Sequence, residues 1–546
     1  MNVIAILRQH VRDKPTQPAL IDTKNGRTRM LTFAELDRAS AQGAALLRTH
    51  SIGVGQSVLV FHPMSIELYI ALLAIFRVGA IAMFVDPSAG RLHIDRCCAL
   101  YPPCAFFGSG KAQFLRLASR AIRRIPIKFT TGMPLPGTVS WSRHAALDPL
   151  DEIVVCDTAT PALLTFTSGS TDEPKCAVRS HEFLLAQHEV LKKCLVPQAD
   201  DVDMPALPIF VLDNLASGVT SVIADADLTR PGFIEGRPVV EQIHRHSVNR
   251  ITASPALFER LIEYCEAEHI VLPGLNKIFT GGAPVFPSML RRLQTVCPNA
   301  VLCPTYGSTE AEPIADIAFS DMSPTDMADM FAGRGLLVGK PIPHIELRVM
   351  HDQWGTPLPK FSRLELDALT LPVGQVGEIV VCGDHVLRGY LNGRGDAETK
   401  MVVDEAVWHR TGDVGYLDPR GRLWLLGRSN AVIRDLEEVI YPFAVECAAL
   451  TNPAVRRAAL AAVNRRRILC VELQPGSALD QDALKRALAW ARLDEIKILL
   501  HMPVDKRHNS KINYPALRVI VRPKGNYGDV ETLHIGSPVD TFLGLP

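Results

Sequence analysis

Residues 57–85 read SVLVFHPMSIELYIALLAIFRVGAIAMFV, and this stretch decides the fold class. Residues 57–61 are apolar and short enough for a buried strand. Ser65 stands where a helix N-cap is needed, residues 66–78 are long enough for a helix, and a second apolar run at 80–85 follows Gly79. Strand, helix and strand in succession make a βαβ unit, which implies a parallel sheet covered by helices. The same stretch is not a membrane span. A span needs about 20 uninterrupted apolar residues, and here Arg77, Gly79 and the turn at Asp86-Pro87 break the run.

The alternation returns farther along the chain. A strand is expected at 251–253, a helix at 255–266, and a strand at 277–279 that ends at Gly281 and Gly282. From Gly374 to Gly427 the pattern changes to short runs between glycines, GEIVVCG and GRLWLLG, which predict a small barrel-like or antiparallel segment. After Arg428 a compact α+β pattern predicts strands at 458–463, 468–473 and 496–500, with a helix at 481–492. The expected fold is therefore α/β: a large region 1–427 of parallel-sheet subdomains plus the barrel-like segment, a small mobile α+β region 428–525, and a tail 526–546 with little periodicity. The boundary falls at residues 427–430.

A chain of 546 residues, 47% of them hydrophobic, exceeds what one core organises. Lys plus Arg and Asp plus Glu each total 58, so no net charge draws the chain to nucleic acid or an anionic membrane. Phosphate recognition has to be local. The twelve cysteines lack zinc-site spacing and read as reduced, buried thiols. The N-terminal residues lack the apolar core of a secretory signal, and a cytoplasmic location is expected.

Chemistry concentrates in five segments. Thr165-Phe166-Thr167-Ser168-Gly169-Ser170-Thr171-Asp172-Glu173-Pro174-Lys175 follows an apolar run. Its hydroxyls and backbone N–H groups suit phosphate oxygens, with charge from Lys175. It is not a Walker A loop, and an ordinary polar turn is the alternative. Gly281-Gly282-Ala283-Pro284 offers a small-residue ledge for a flat base. Thr305-Tyr306-Gly307-Ser308-Thr309-Glu310 adds an aromatic face and a carboxylate able to hold Mg²⁺. Asp413, beside Gly412, can accept hydrogen bonds from ribose hydroxyls, and Arg428 follows at the boundary. Lys511 lies in the polar segment RHNSKINY, where a lone lysine is ordinarily just solvated. No GxSxG or HExxH motif points to a serine hydrolase or a zinc protease, and His244 and His246 read as surface or packing residues.

These five segments, in this order across residues 31–514, resemble the adenylate-forming superfamily of acyl-CoA synthetases, luciferases and peptide-synthetase adenylation domains. The resemblance implies ATP-dependent activation of a carboxylic acid as its acyl-adenylate. It makes Thr167, Ser168, Gly169, Ser170, Thr171 and Lys175 the phosphate loop, and Gly282, Ala283, Pro284, Tyr306 and Gly307 the adenine site. Asp413 and Arg428 become ribose ligands, Thr309 and Glu310 serve phosphate and Mg²⁺ with Thr171 as a second metal residue, Lys511 is the catalytic lysine, and Asn430 is the hinge. In texture, PALPIFVLDN, GGAPVFPSMLRRL, YGSTEAEPI and RHNSKINY are similar to the branch containing olefin-pathway β-lactone synthetases and fatty acid–CoA ligases.

That branch implies a fatty or 3-hydroxy acid as partner, with Phe210, Val211, Leu212 and Asn214 near its acyl chain. Core packing is an equally good reading of the apolar ones. The expected second step is closure of a β-lactone by the substrate's own hydroxyl. Coenzyme A or a carrier thiol is the alternative acceptor, disfavoured because Glu437 stands where the superfamily has a glycine. Asp172 and Cys176 also depart from the usual phosphate loop, which keeps a non-catalytic binding protein as the reading from another class. Self-association into a homodimer, or assembly with pathway enzymes, is left open by the sequence.

Overall fold

The computed structural model describes residues 2–86, 89–168, 173–435, 438–505 and 510–522. The βαβ unit forms as read. Ser57–Phe61 and Ile81–Phe84 are neighbouring parallel strands joined by the helix Ile66–Arg77. Ser65 caps that helix, its hydroxyl accepting from the Leu68 amide at 3.3 Å. Every residue of the helix except Glu67 is buried, as expected of an element that is hydrophobic all round.

These strands are the centre of a seven-stranded sheet ordered Val139–Ser140, Ile127–Thr131, Ala105–Ser109, Ser57–Phe61, Ile81–Phe84, Pro161–Ser168 and Pro174–Ser180. Only its last pair is antiparallel. The last pair carries the start of the hydroxyl-rich segment to the sheet's edge, with Thr167 opposite Lys175.

The second large sheet is mixed. Val202–Pro205, Arg250–Ala253, Lys277–Gly281 and Val301–Ser308 run parallel. From Ala311–Asp316 onward the pairing is antiparallel, through Leu336–Pro341, Leu423–Arg428, Ala406–Leu417, Gly377–Cys382 and Glu346–Met350. The segment read as barrel-like or antiparallel is thus the antiparallel arm of this sheet, continuous with its parallel strands, and no closed barrel forms among the described residues. The glycine-rich texture reflects close strand packing: a Cβ at Gly377 would sit 1.9 Å from the Met350 carbonyl oxygen.

Residues after Arg428 build their own three-stranded sheet from Val455–Val463, Arg466–Leu473 and Glu495–Ile498. The helix expected over 481–492 ends at Ala487 and is followed by a 3₁₀ turn at Ala489–Ala491. The break rotates Leu488, Ala491 and Leu493 into the core, a tertiary gain that overrides an uninterrupted helix-forming sequence. The tail 526–546 lies outside the described residues. All twelve cysteines are free, and no helix among the described residues is long and apolar enough to cross a membrane.

Candidate active site

The cleft is built where the parallel strands end. Lys277–Gly281 and Val301–Ser308 lie side by side, and a Cβ at Gly281 would come within 2.6 Å of the Thr305 carbonyl oxygen, so only glycine allows this approach. Beyond it the exposed Gly282 turns the chain at φ +83°, and Ala283 and Pro284 follow, partly exposed.

Tyr306, on the adjacent strand, donates its hydroxyl to Asp413 Oδ2 at 2.7 Å. Asp413 and Arg428 are cross-strand partners, and the guanidinium donates to Asp413 Oδ1 at 3.0 Å and to the Thr411 carbonyl at 3.0 Å. Asp413 raises the affinity of Arg428 for its proton, and burial with the same carboxylate beside it raises the Tyr306 phenol well above its ordinary range. Tyr306 and the pair Asp413–Arg428, more than a hundred positions further along the chain, are therefore one hydrogen-bonded group.

Glu310 is the second focus. Burial opposes its ionisation, but His409, a hydrogen bond from the Tyr390 hydroxyl and Lys400 outweigh burial and hold the carboxyl down at about 2. Burial and Lys400 push His409 down to about 3, so at neutral pH the positive charge facing Glu310 is carried by Lys400. Burial also lowers Lys400, to about 8, against the pull of Glu310 and Asp396. Its ammonium donates to the Leu387 carbonyl and lies 3.2 Å from His409 Nδ1 and 5.5 Å from the centre of the Tyr390 ring.

Lys175 reaches the same ring from the other sheet, its ammonium 5.7 Å from the ring centre. Arg179, also on that sheet, donates to the Thr309 carbonyl at 2.8 Å. The strand Pro174–Ser180 and the Thr305–Glu310 segment are thereby joined.

An ionised carboxylate with one neighbouring lysine suits a divalent cation that keeps most of its ligands from triphosphate and water. No group of three or more potential metal-ligating side chains occurs among the described residues. Tyr390, Lys400, His409 and Arg179 were missed by sequence reading. Each is an ordinary residue in its local pattern and acquires meaning only through a hydrogen bond to Glu310 or Thr309 or an electrostatic effect on Glu310.

Several expected residues fall elsewhere. Gly169, Ser170, Thr171, Asp172 and Glu437 lie outside the described residues, as do the side chains of Thr167 and Ser168. Cys176 is buried, its thiol pushed up to about 12 by burial, so it packs as a small apolar residue. Phe210 lines a cavity beside Gly281, Gly282 and Thr305, whereas Leu212 lines a second cavity under the N-terminal helix Ile4–Asp13. Val211 is core, and the buried Asn214 amide is committed to Asp203, Ser221 and Arg250. The Lys511 amide donates to Asp505 Oδ1 at 2.9 Å, so the contacts that place its backbone come from residues next to it in sequence. Asn430 sits in the turn Ser429–Ala431, its carbonyl accepting from Arg518 at 2.9 Å.

The sequence profile of the AMP-binding enzymes matches residues 7–391. The chain belongs to this family. Among its relatives, an olefin beta-lactone synthetase from Xanthomonas campestris pv. campestris is 33% identical, over 95% of this chain and 97% of the relative. The amide bond synthetase McbA from Marinactinospora thermotolerans has the same fold, with a TM-score of 0.77 at 22% identity, covering 95% of this chain and all (100%) of that one. ATP-bound MatB from Rhodopseudomonas palustris superposes with a TM-score of 0.76 at 19% identity, over 95% of this chain and 98% of that one. This AMP-binding enzyme is an AMP-forming acid ligase that uses ATP to activate a carboxylic acid as its adenylate.

Proposed function

We propose that the acid is a 3-hydroxy fatty acid and that the enzyme converts its adenylate into a β-lactone, releasing AMP. One observation carries the reading: the relative named as an olefin beta-lactone synthetase aligns over nearly the whole of both chains. The apolar cavity that opens beside Gly281, Gly282 and Thr305 supports an alkyl substrate.

In the first step a carboxylate oxygen attacks the α-phosphorus of ATP and pyrophosphate leaves, so anions crowd one centre. In this reading Lys175, Thr309 and the hydroxyl-rich residues 167–171 are the phosphate ligands, and Lys511 joins them for the chemical step. Glu310, with Thr171, would hold Mg²⁺, which supplies charge neutralisation to the triphosphate when bound. Tyr306, Asp413 and Arg428 orient the nucleoside. For Lys511 to act, residues 428–525 turn as a lid about Asn430 and bring the amine to the α-phosphate. In the second step an internal hydroxyl needs no second substrate site, and its effective concentration reaches about 10⁵ M or more in favourable geometry.

The test is to incubate the protein with ATP, Mg²⁺ and matched 3-hydroxy and 3-deoxy fatty acids, with and without coenzyme A, and to identify products by mass spectrometry. Lactone from the hydroxy acid alone, independent of coenzyme A, is the expected result. A thioester formed only with coenzyme A overturns it in favour of a thiol ligase.

A further inference from the structure

The cavity beside the nucleotide ledge has a polar feature that adenylation does not use. Its wall is mainly apolar, with Leu191, Leu195, Leu207, Phe210 and Phe279 facing one another. Asp316 also lines it. This residue ends the strand Ala311–Asp316 and pairs with Thr305, which in turn pairs with Gly281, so backbone register fixes Asp316 two strands from the ledge.

No described side chain or backbone amide hydrogen-bonds its carboxyl, and no described cation forms an ion pair with it. Burial raises its affinity for a proton. Neighbouring Cys194 and Cys303 offer no compensation, since burial pushes their thiols up to about 12 and about 11 and leaves them neutral. Glu312, elsewhere on the wall, is engaged.

A second polar group of this cavity is also unmatched: the Thr280 hydroxyl is buried without a hydrogen-bond partner among the described residues. Leaving a buried hydroxyl unpaired costs about 1–3 kcal/mol. A fully buried carboxylate in this part of the sheet shows the contrast. Asp203 is fully enclosed, but one of its oxygens accepts from Asn214, Arg250 and Thr252. Asp316 has no such structural employment.

We propose that Asp316, assisted by Thr280, binds the hydroxyl of the substrate acid and takes its proton during ring closure; this rests on the lactone-forming reading above. The hydroxyl O–H bond breaks and its proton goes to an Asp316 oxygen. The hydroxyl oxygen forms a bond to the acyl carbon, the bond from that carbon to the AMP oxygen breaks, and AMP leaves with that electron pair. Asp316 returns the proton to solvent. A carboxylate made more basic by its apolar surroundings is suited to this transfer.

The experiment uses the full chain with 3-hydroxydecanoate and decanoate as probes. Calorimetric binding should favour the hydroxy acid by at least about tenfold in the wild type, the worth of one hydrogen bond to a charged group, and Asp316→Leu should reduce that ratio below threefold. Asp316→Asn keeps a hydrogen-bonding shape but cannot accept the proton. It should slow AMP release from the hydroxy acid by about 100-fold while leaving ATP–pyrophosphate exchange with decanoate within about twofold of the wild type. Thr280→Val should narrow the binding preference less than Asp316→Leu does.

Melting temperatures of the Asp316 variants should stay close to that of the wild type, because this half-buried carboxyl makes no hydrogen bond or ion pair to a described residue that its replacement would break. Equal affinity, or none, for the two acids in the wild type overturns the proposal. So does an undiminished preference in Asp316→Leu, or an equal loss of exchange with both acids in Asp316→Asn. Absence of pyrophosphate exchange with either acid in the wild type would overturn the adenylation reading instead, and the binding ratios would still judge Asp316.

Discussion

The Tyr390 hydroxyl donates to Glu310 Oε1 at 2.5 Å, although eighty positions separate the two residues. This bond leaves the other carboxylate oxygen available, and Lys400 beneath the same ring supplies the charge that keeps Glu310 ionised. Tyr390 is thus the support through which the segment between Gly377–Cys382 and Lys400–Val403, bridged to Ala177 of the seven-stranded sheet, orients the acidic residue of the cleft.

Removing that support should appear as a metal defect. Tyr390→Phe keeps the ring that Lys175 and Lys400 approach but loses the hydrogen bond. The Mg²⁺ concentration giving half-maximal pyrophosphate exchange should rise roughly tenfold, the usual cost of losing a group that orients a metal ligand, with a smaller change in maximal rate. An unchanged Mg²⁺ titration would remove Tyr390 from this role.

Lys511 is required only if the lid delivers it. Lys511→Ala should lower pyrophosphate exchange by at least about 100-fold, in line with loss of a group that stabilises transition-state charge. ATP affinity, measured by calorimetry, should change little. Exchange at the wild-type rate would show that another cation serves the α-phosphate.

Gly395 tests the packing of Lys175. Its φ is +94°, and a Cβ there would lie 2.6 Å from Lys175 Cε. Gly395→Ala should both strain the backbone and displace the ammonium. The KM for ATP is expected to rise at least about fivefold, the equivalent of roughly 1 kcal/mol for an unfavourable backbone conformation. A normal KM would mean that Lys175 does not bind phosphate from this position.

Glu446 predicts a pH dependence of stability. It is fully buried, the Tyr514 hydroxyl and the Leu460 amide both donate to its Oε1, and burial raises the carboxyl to about 7. Because the folded state holds this proton more tightly than the unfolded state, its contribution is complete below the unfolded value of about 4.5 and declines as pH rises through 7. Glu446→Gln should therefore raise the melting temperature more at pH 8 than at pH 5. The difference should be on the order of 3 kcal/mol at most, from 1.36 kcal/mol per unit. Equal effects at the two pH values in thermal denaturation would refute the assignment.

What the sequence determined by itself was local or ordered along the chain. Apolar runs, a capping serine and separating glycines defined the βαβ unit at 57–85, because a strand and a helix each need only nearby residues of the right period. The succession of Thr167–Lys175, Gly282–Pro284, Tyr306–Glu310, Asp413–Arg428 and Lys511 was legible for the same reason. Short motifs keep their spacing whatever the fold does between them.

Only the tertiary structure decided which side chains became chemically exceptional. Tyr390, Lys400 and His409 carry no distinctive pattern in their own segments; they matter because the fold lets Tyr390 donate to Glu310 and puts Lys400 and His409 close enough to act on its charge. Val211 and Asn214 share a helix with Phe210, but its rotation turns Phe210 to the cavity and the other two inward. Asp316 looks like the polar end of a strand until its pairing with Thr305 places it in an apolar wall. Burial and electrostatic coupling depend on distances across the sheet, and a linear string of residues does not contain those distances.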